Sequence, residues 1–250
     1  MLKKVLSAAA LGALSLSVLL PCQAAAPVKI SAVAPVSDLQ AEAELKIKAI
    51  EEALASDKSY LDTKATTLPV EAGVLAVVSQ AIVESEEKPT WKASAPDLRD
   101  GAIAIATSKS YDDAKKGLEA VKAALGGTAA GAKPEAEWNK LMKLGALMKD
   151  VNKRNSKMRR ATKKLPDDPA EAARDASIMA VLGLATHADT HEVKDASKVP
   201  DWQKYALDFQ AGMTATSAAL KAKDLAAAAD AYKKASTACA DCHGKFRENE

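Results

Sequence analysis

Apolar residues recur at helical spacing along most of the chain, in stretches separated by short breaks with Pro and Gly. The pattern predicts eight helices in two sets of four, and therefore an all-α protein. Pro69 and Pro169 stand near the first residue of predicted helices, where proline is favoured. The predicted spans are 37–56, 68–85, 95–108 and 111–125 in the first set, and 135–161, 168–188, 199–221 and 223–247 in the second.

These two sets predict two tandem antiparallel four-helix bundles. The N-terminal bundle is expected over residues 28–126, ended by the Gly126-Gly127 pair. Residues 127–134 are the predicted linker, and residues 135–250 form the second bundle. Short loops between successive helices favour this up-down-up-down order.

The two halves resemble each other when they are aligned on a tryptophan. An ungapped alignment also matches an aspartate and a glycine, which indicates an internal duplication. The same register sets residues 128–132 against residues 239–243. The matched pairs are Trp91 with Trp202, Asp97 with Asp208, and Gly101 with Gly212.

The first 24 residues have the pattern of a secretory signal peptide. Lys3 and Lys4 precede an apolar run over residues 5–20, and small residues follow around Ala24, after which we expect cleavage. No second apolar run of membrane length occurs, so a periplasmic protein without a membrane span is expected. A lipoprotein anchor at Cys22 is the disfavoured alternative.

Charge and composition exclude one broad class of function. Without Lys3 and Lys4 the 35 basic residues fall to 33, which equals the 33 acidic residues. A near-neutral chain is a poor candidate for general nucleic-acid binding. The alanine- and lysine-rich composition, with few aromatic residues, favours helices.

Cys239-Ala240-Asp241-Cys242-His243 is the attachment pattern of a c-type haem. One helical turn brings Cys239 and Cys242 to one side of the helix with His243 beside them. Cys22 leaves with the predicted signal peptide, so these two thiols remain. A disulfide or two small buried residues would also account for the cysteines, but neither explains the histidine.

The last helix carries both cysteines on its predicted inward face, at spacings of three and four residues. In an up-down bundle, three other helix ends lie near this motif. The inward face comprises Leu225, Ala228, Tyr232, Ala235, Cys239, Cys242 and Phe246. The neighbouring ends carry Trp138, Leu141, Met142, His187, His191, Trp202 and Phe209.

On the residues from Cys239 to Arg247 and the stretch 202–209, the second bundle resembles cytochrome c prime and its methionine-ligated low-spin relatives. The resemblance covers residues 135–250. It implies a four-helix bundle with one covalent haem c, His243 as an axial iron ligand, and Arg247 near the proximal haem face. The extra N-terminal bundle departs from that family and leaves open whether the chain forms a homodimer.

The sixth iron position is not decided by the sequence. Either Met142 binds the iron, or Leu141 covers that position as an apolar lid. A shift of one residue in the register of the helix decides between them. His187 is a minor alternative, and His187 and His191 are otherwise expected to be exposed at a loop edge.

We therefore expect an exported monohaem cytochrome that transfers single electrons to an unknown redox partner, and not an enzyme. A gas-binding haem protein for nitric oxide or carbon monoxide is the alternative; a peroxidase and a haem-free structural bundle rank lower. Residues 140–164 hold ten basic side chains and one acid, Asp150. This is expected to be a solvated helix face, with steering of an acidic redox partner as the alternative.

Overall fold

The computed structural model describes residues 25–87, 89–128 and 130–247. The predicted signal peptide lies outside them. The regular secondary structure of the described residues is entirely helical, without a β-strand, which confirms the all-α class. The helices are α1 (Val36–Ala53), α2 (Asp57–Thr63), α3 (Leu68–Glu84), α4 (Ala95–Ala106), α5 (Tyr111–Leu125), α6 (Leu144–Ala161), α7 (Pro169–Ala188), α8 (Val199–Lys221) and α9 (Leu225–Phe246).

Local capping explains several of these boundaries. Proline occupies the first turn of α3 and α7, as predicted. Beyond α5, Gly127 has a φ of +81°, and the amide of Thr128 donates to the carbonyl of Ala123 across 2.9 Å. This glycine-centred arrangement satisfies the last carbonyls of the helix and stops it where the sequence predicts.

Two parts of the chain differ from the predicted spans. Residues 57–63 form the additional helix α2, whose Ser56 side chain accepts a hydrogen bond from the amide of Ser59. Residues 135–143 do not begin α6, apart from a single 3-10 turn at Trp138–Lys140. Here tertiary contacts override helix propensity, because the indole of Trp138 donates to Glu84 Oε1 across 2.8 Å and is buried.

Helices α3 and α7 form the centre of the molecule. Every residue from Ala72 to Ile82 in α3 and from Asp175 to His187 in α7 is buried. A helix that is apolar on all sides must be surrounded by other helices. Accordingly α3 packs against α1, α4, α6 and α7, while α7 packs against α1, α3, α6 and α8.

The apolar core therefore continues from one half of the chain into the other. The predicted linker is also held in place, because the buried guanidinium of Arg99 donates to the carbonyls of Lys133 and Pro134 across 2.7 and 3.0 Å. The division into two tandem bundles stays a prediction.

The aligned glycines of the two halves have the same packing role. A Cβ atom at Gly101 in α4 would lie 2.8 Å from Val121 of α5, and one at Gly212 in α8 would lie 2.8 Å from Ala235 of α9. Both glycines thus permit close contact between the third and fourth predicted helices of their set. The residues they meet, Val121 and Ala235, are not aligned with each other, so the internal duplication stays a prediction.

A buried cluster of charges joins the two halves. Arg154 of α6 is 4% exposed and donates to Glu42 of α1, Asp150 of its own helix and Asp175 of α7. Lys46 of α1 adds a second positive charge next to Glu42. Burial alone would raise the pKa of Glu42, but the two cations outweigh it and hold that pKa below its usual range.

None of the described helices is by itself long and apolar enough for a membrane span. Helices α2 and α3 reach the necessary length and composition only as a pair, across a bend of 83°.

Replacement of Arg154 by Met is expected to destabilise the protein by about 3–5 kcal/mol, because it removes the cation that donates to three buried carboxylates. Urea denaturation followed by circular dichroism measures this loss. Arg160→Met is the matched control, since Arg160 is exposed on the same helix, and its effect should stay within about 0.5 kcal/mol. Equal stabilities of the two variants would show that the charge cluster does not hold the fold together.

Candidate functional site

Helix α9 presents the two motif cysteines toward the interior. Asp224 caps the helix by accepting a hydrogen bond from the amide of Ala227 across 2.9 Å, and the helix continues through Phe246. The whole motif is thus helical. All seven residues of the predicted inward face are buried or half-buried, including Cys239 and Cys242, whereas His243 is exposed.

Aromatic side chains fix the end of α9 against the start of α8. Phe246 packs edge-to-face on Trp202, with ring centroids 5.2 Å apart, and lies 6.5 Å from the ring of Tyr205. The Trp202 indole donates to the carbonyl of Thr186, at the end of α7, across 2.7 Å. The ends of α7 and α9 and the start of α8 therefore meet around Trp202 and Phe246.

The two thiols are free and protonated at neutral pH. Cys239 and Cys242 form no disulfide. Burial raises the pKa of Cys239 to about 11, with a smaller contribution from Cys242. Burial also raises the pKa of Cys242. Two unpaired thiols on one helical face are the groups that thioether attachment of a haem requires, and an exposed imidazole follows them directly.

The two other histidines have different environments. His191 is exposed as predicted, and its hydrogen bond to Asp189 raises its pKa. His187 was expected to be exposed as well, but it is only 5% exposed. Its Nδ1 atom has no hydrogen-bond partner, and burial lowers its pKa. The difference arises because α7 is buried through its last turn.

Met142 and Leu141 precede α6 instead of lying within it, and both are buried. The Met142 side chain packs on α3, since a Cβ atom at Gly73 would lie 2.6 Å from Met142 Cγ and 3.0 Å from its Sδ. Iron ligation by Met142 stays a prediction. Arg247 follows the last residue of α9 and is exposed, and its role near the haem also stays a prediction.

Most basic side chains of residues 140–164 are exposed, as expected, but Arg154 is buried and Lys157 is half-buried. Arg154 is buried in the charge cluster, and Lys153 and Lys157 form ion pairs with Glu71 and Asp175. A groove of about 510 Å³ between α6 and α9 is lined in part by Arg159 and Lys163. The exposed basic side chains toward the end of α6 are Arg159, Arg160, Lys163 and Lys164.

The corresponding place in the first half has a different structure. The chain leaves the helical conformation after α5, and Gly131 has a φ of +83°. The amides of Ala130 and Ala132 donate to Asp97 Oδ1 across 3.2 and 3.1 Å, which folds this segment onto α4. An open cavity of about 780 Å³ lies between the segment, α4 and α5.

Within the described ranges, no three His, Cys, Asp or Glu side chains are grouped to hold a bare metal ion. A haem iron needs no such group, because the macrocycle itself supplies four of its ligands. Comparison of the chain with protein-family profiles, curated sequences and solved structures gives no match.

The thiol environment predicts a distinctive pH profile for alkylation of the haem-free protein. The rate at Cys239 should still rise about tenfold per pH unit between pH 9 and 10, because thiolate is the reactive form and its pKa lies near 11. Iodoacetamide labelling is followed by tandem mass spectrometry, whose fragment ions distinguish Cys239 from Cys242.

Cys242→Ser is the control variant. It should lower the pKa of Cys239 only slightly, because burial is the main cause of the shift. A plateau in the rate near pH 9 in the unaltered protein would contradict the buried placement of Cys239.

Proposed function

We propose that this chain is an exported monohaem c-type cytochrome that transfers single electrons. Cys239 and Cys242 would hold one haem covalently, and His243 would bind its iron. One observation carries the proposal: two free, half-buried thiols one turn apart share a helix face with Phe246, which packs on Trp202, and an exposed histidine follows them directly.

The attachment chemistry fits the state of these thiols. Each thiol adds across a vinyl group: one S–C bond forms, and the thiol hydrogen passes to the other vinyl carbon. The reaction needs no oxidant and consumes two reduced cysteines, which the structure supplies. A disulfide would leave neither thiol available.

The surroundings also suit a flat apolar cofactor. Trp202 is buried, and Phe246 and Tyr205 are half-buried. Phe209, one turn after Tyr205 in α8, is also buried. Apolar and aromatic walls exclude water, and burial of a haem is one of the factors that set its reduction potential. The haem would supply an iron that alternates between two oxidation states, and the protein would supply attachment, ligation and the low-polarity surroundings.

The resemblance to cytochrome c prime extends this proposal to a haem-bearing four-helix bundle formed by α6, α7, α8 and α9, and to export into the periplasm. The first half, which lacks cysteine and histidine after the signal peptide, then has a structural or docking role. A redox partner protein and a homodimer belong to the same proposal.

Gas binding is the second candidate, and the position of Met142 favours it. If the Met142 thioether remains on Gly73 of α3, it does not coordinate the iron. An iron without a protein ligand opposite His243 would bind nitric oxide or carbon monoxide.

Removal of the thiols tests the attachment. The full chain is expressed with a periplasmic haem-maturation system, and covalent haem is detected by in-gel peroxidase staining after denaturation. Cys239→Ala/Cys242→Ala should lose the stain completely, because no thioether can form.

Asp241→Asn is the matched control, since Asp241 lies between the two cysteines and is exposed. It should keep the stain at the level of the unaltered protein. If the unaltered protein shows no covalent haem, the proposal is wrong.

A further inference from the structure

His187 is a buried imidazole with an unpaired ring nitrogen. It is 5% exposed, and its Nδ1 atom has no hydrogen-bond partner. A buried polar atom is normally paired, and an exception calls for an explanation such as a bound group. Burial lowers the pKa of His187, which keeps the ring neutral, and the neutral ring is the form that binds metals.

The position of His187 brings it to the same end of the molecule as the cysteine motif. It follows Gly183 by one helical turn, so both residues lie on one face of α7. That face contacts α8, because a Cβ atom at Gly183 would lie 3.3 Å from Phe209 Cδ1. The residue before it, Thr186, accepts the hydrogen bond from Trp202, which in turn packs on Phe246.

The other candidate ligands of the haem iron, Met142 and His191, already have partners in the structure. Met142 packs against Gly73 of α3. His191 is exposed and pairs with Asp189 and Glu192. His187 remains as a buried nitrogen ligand with a free lone pair or N–H.

We infer that His187 would be a second protein ligand of the haem iron, in addition to His243. This inference rests on the proposed function. The iron would then be six-coordinate and low-spin with two histidine ligands, and it would bind carbon monoxide only when His187 dissociates.

Spectroscopy of the mature holoprotein tests the inference. Electron paramagnetic resonance and optical spectra of the unaltered protein should show low-spin iron. His187→Gly should give high-spin iron, and its reduced form should bind carbon monoxide at least tenfold faster. Added imidazole should restore the low-spin spectrum of His187→Gly by entering the space left by the side chain.

His191→Gly and Met142→Leu are the controls, and both should keep the low-spin spectrum of the unaltered protein. Low-spin iron in His187→Gly without added imidazole would overturn the inference, as would high-spin iron in the unaltered protein. In both cases covalent haem still supports the proposed function. If the unaltered protein carries no covalent haem, both the function and the inference are wrong.

A second measurement does not depend on haem. In the Cys239→Ala/Cys242→Ala protein, His187→Leu should leave the urea midpoint unchanged or raise it, because it removes an unpaired buried nitrogen. A histidine with a purely structural role would give a lower midpoint on replacement, and that result would count against the inference.

Discussion

The arrangement of the helices depends on how the charge of Arg154 is buried. Its guanidinium lies among Glu42, Asp150 and Asp175, which come from α1, α6 and α7. Burial of an ion is costly unless its partners have good geometry. The three carboxylates meet this need only in one relative placement of these helices, so the cluster selects that placement and joins the two halves of the chain.

Two close helix contacts determine where the cysteine motif lies relative to α7. Gly183 allows α8 to approach α7, and Gly212 allows α9 to approach α8, since a Cβ atom would lie 3.1 Å from Gln210 Cβ in the first case and 2.8 Å from Ala235 Cβ in the second. Trp202 then ties the helix ends together. The thiols of α9 are thereby positioned by a sequence of contacts that starts at Arg154.

Much of the local structure could be predicted from the sequence, because its determinants are near in sequence. Helix periodicity, the prolines of α3 and α7 and the Gly126-Gly127 stop are of this kind, as is the inward face of α9. The helix α2 was missed, although Ser56 followed by Asp57 is a recognisable start signal. His187 follows Gly183 by four residues and so lies on the same face of α7. This spacing could have indicated that His187 is buried.

The features that could not be predicted depend on contacts between residues that are far apart in the sequence. Arg154 lies in a basic stretch that suggests a solvated face, but its partner Glu42 is 112 residues away. Trp138 and Met142 were placed at the motif by the predicted start of α6, whereas their partners Glu84 and Gly73 lie in α3. Only the folded chain brings such pairs together.

Intact-mass spectrometry of the full-length gene product, expressed with haem maturation and purified from the periplasm, tests the central claim most directly. The account predicts a chain without residues 1–24 that is heavier by the mass of one haem, and no free thiol after denaturation. A bare chain in which Cys239 and Cys242 are both titratable, or are joined as a disulfide, would contradict it.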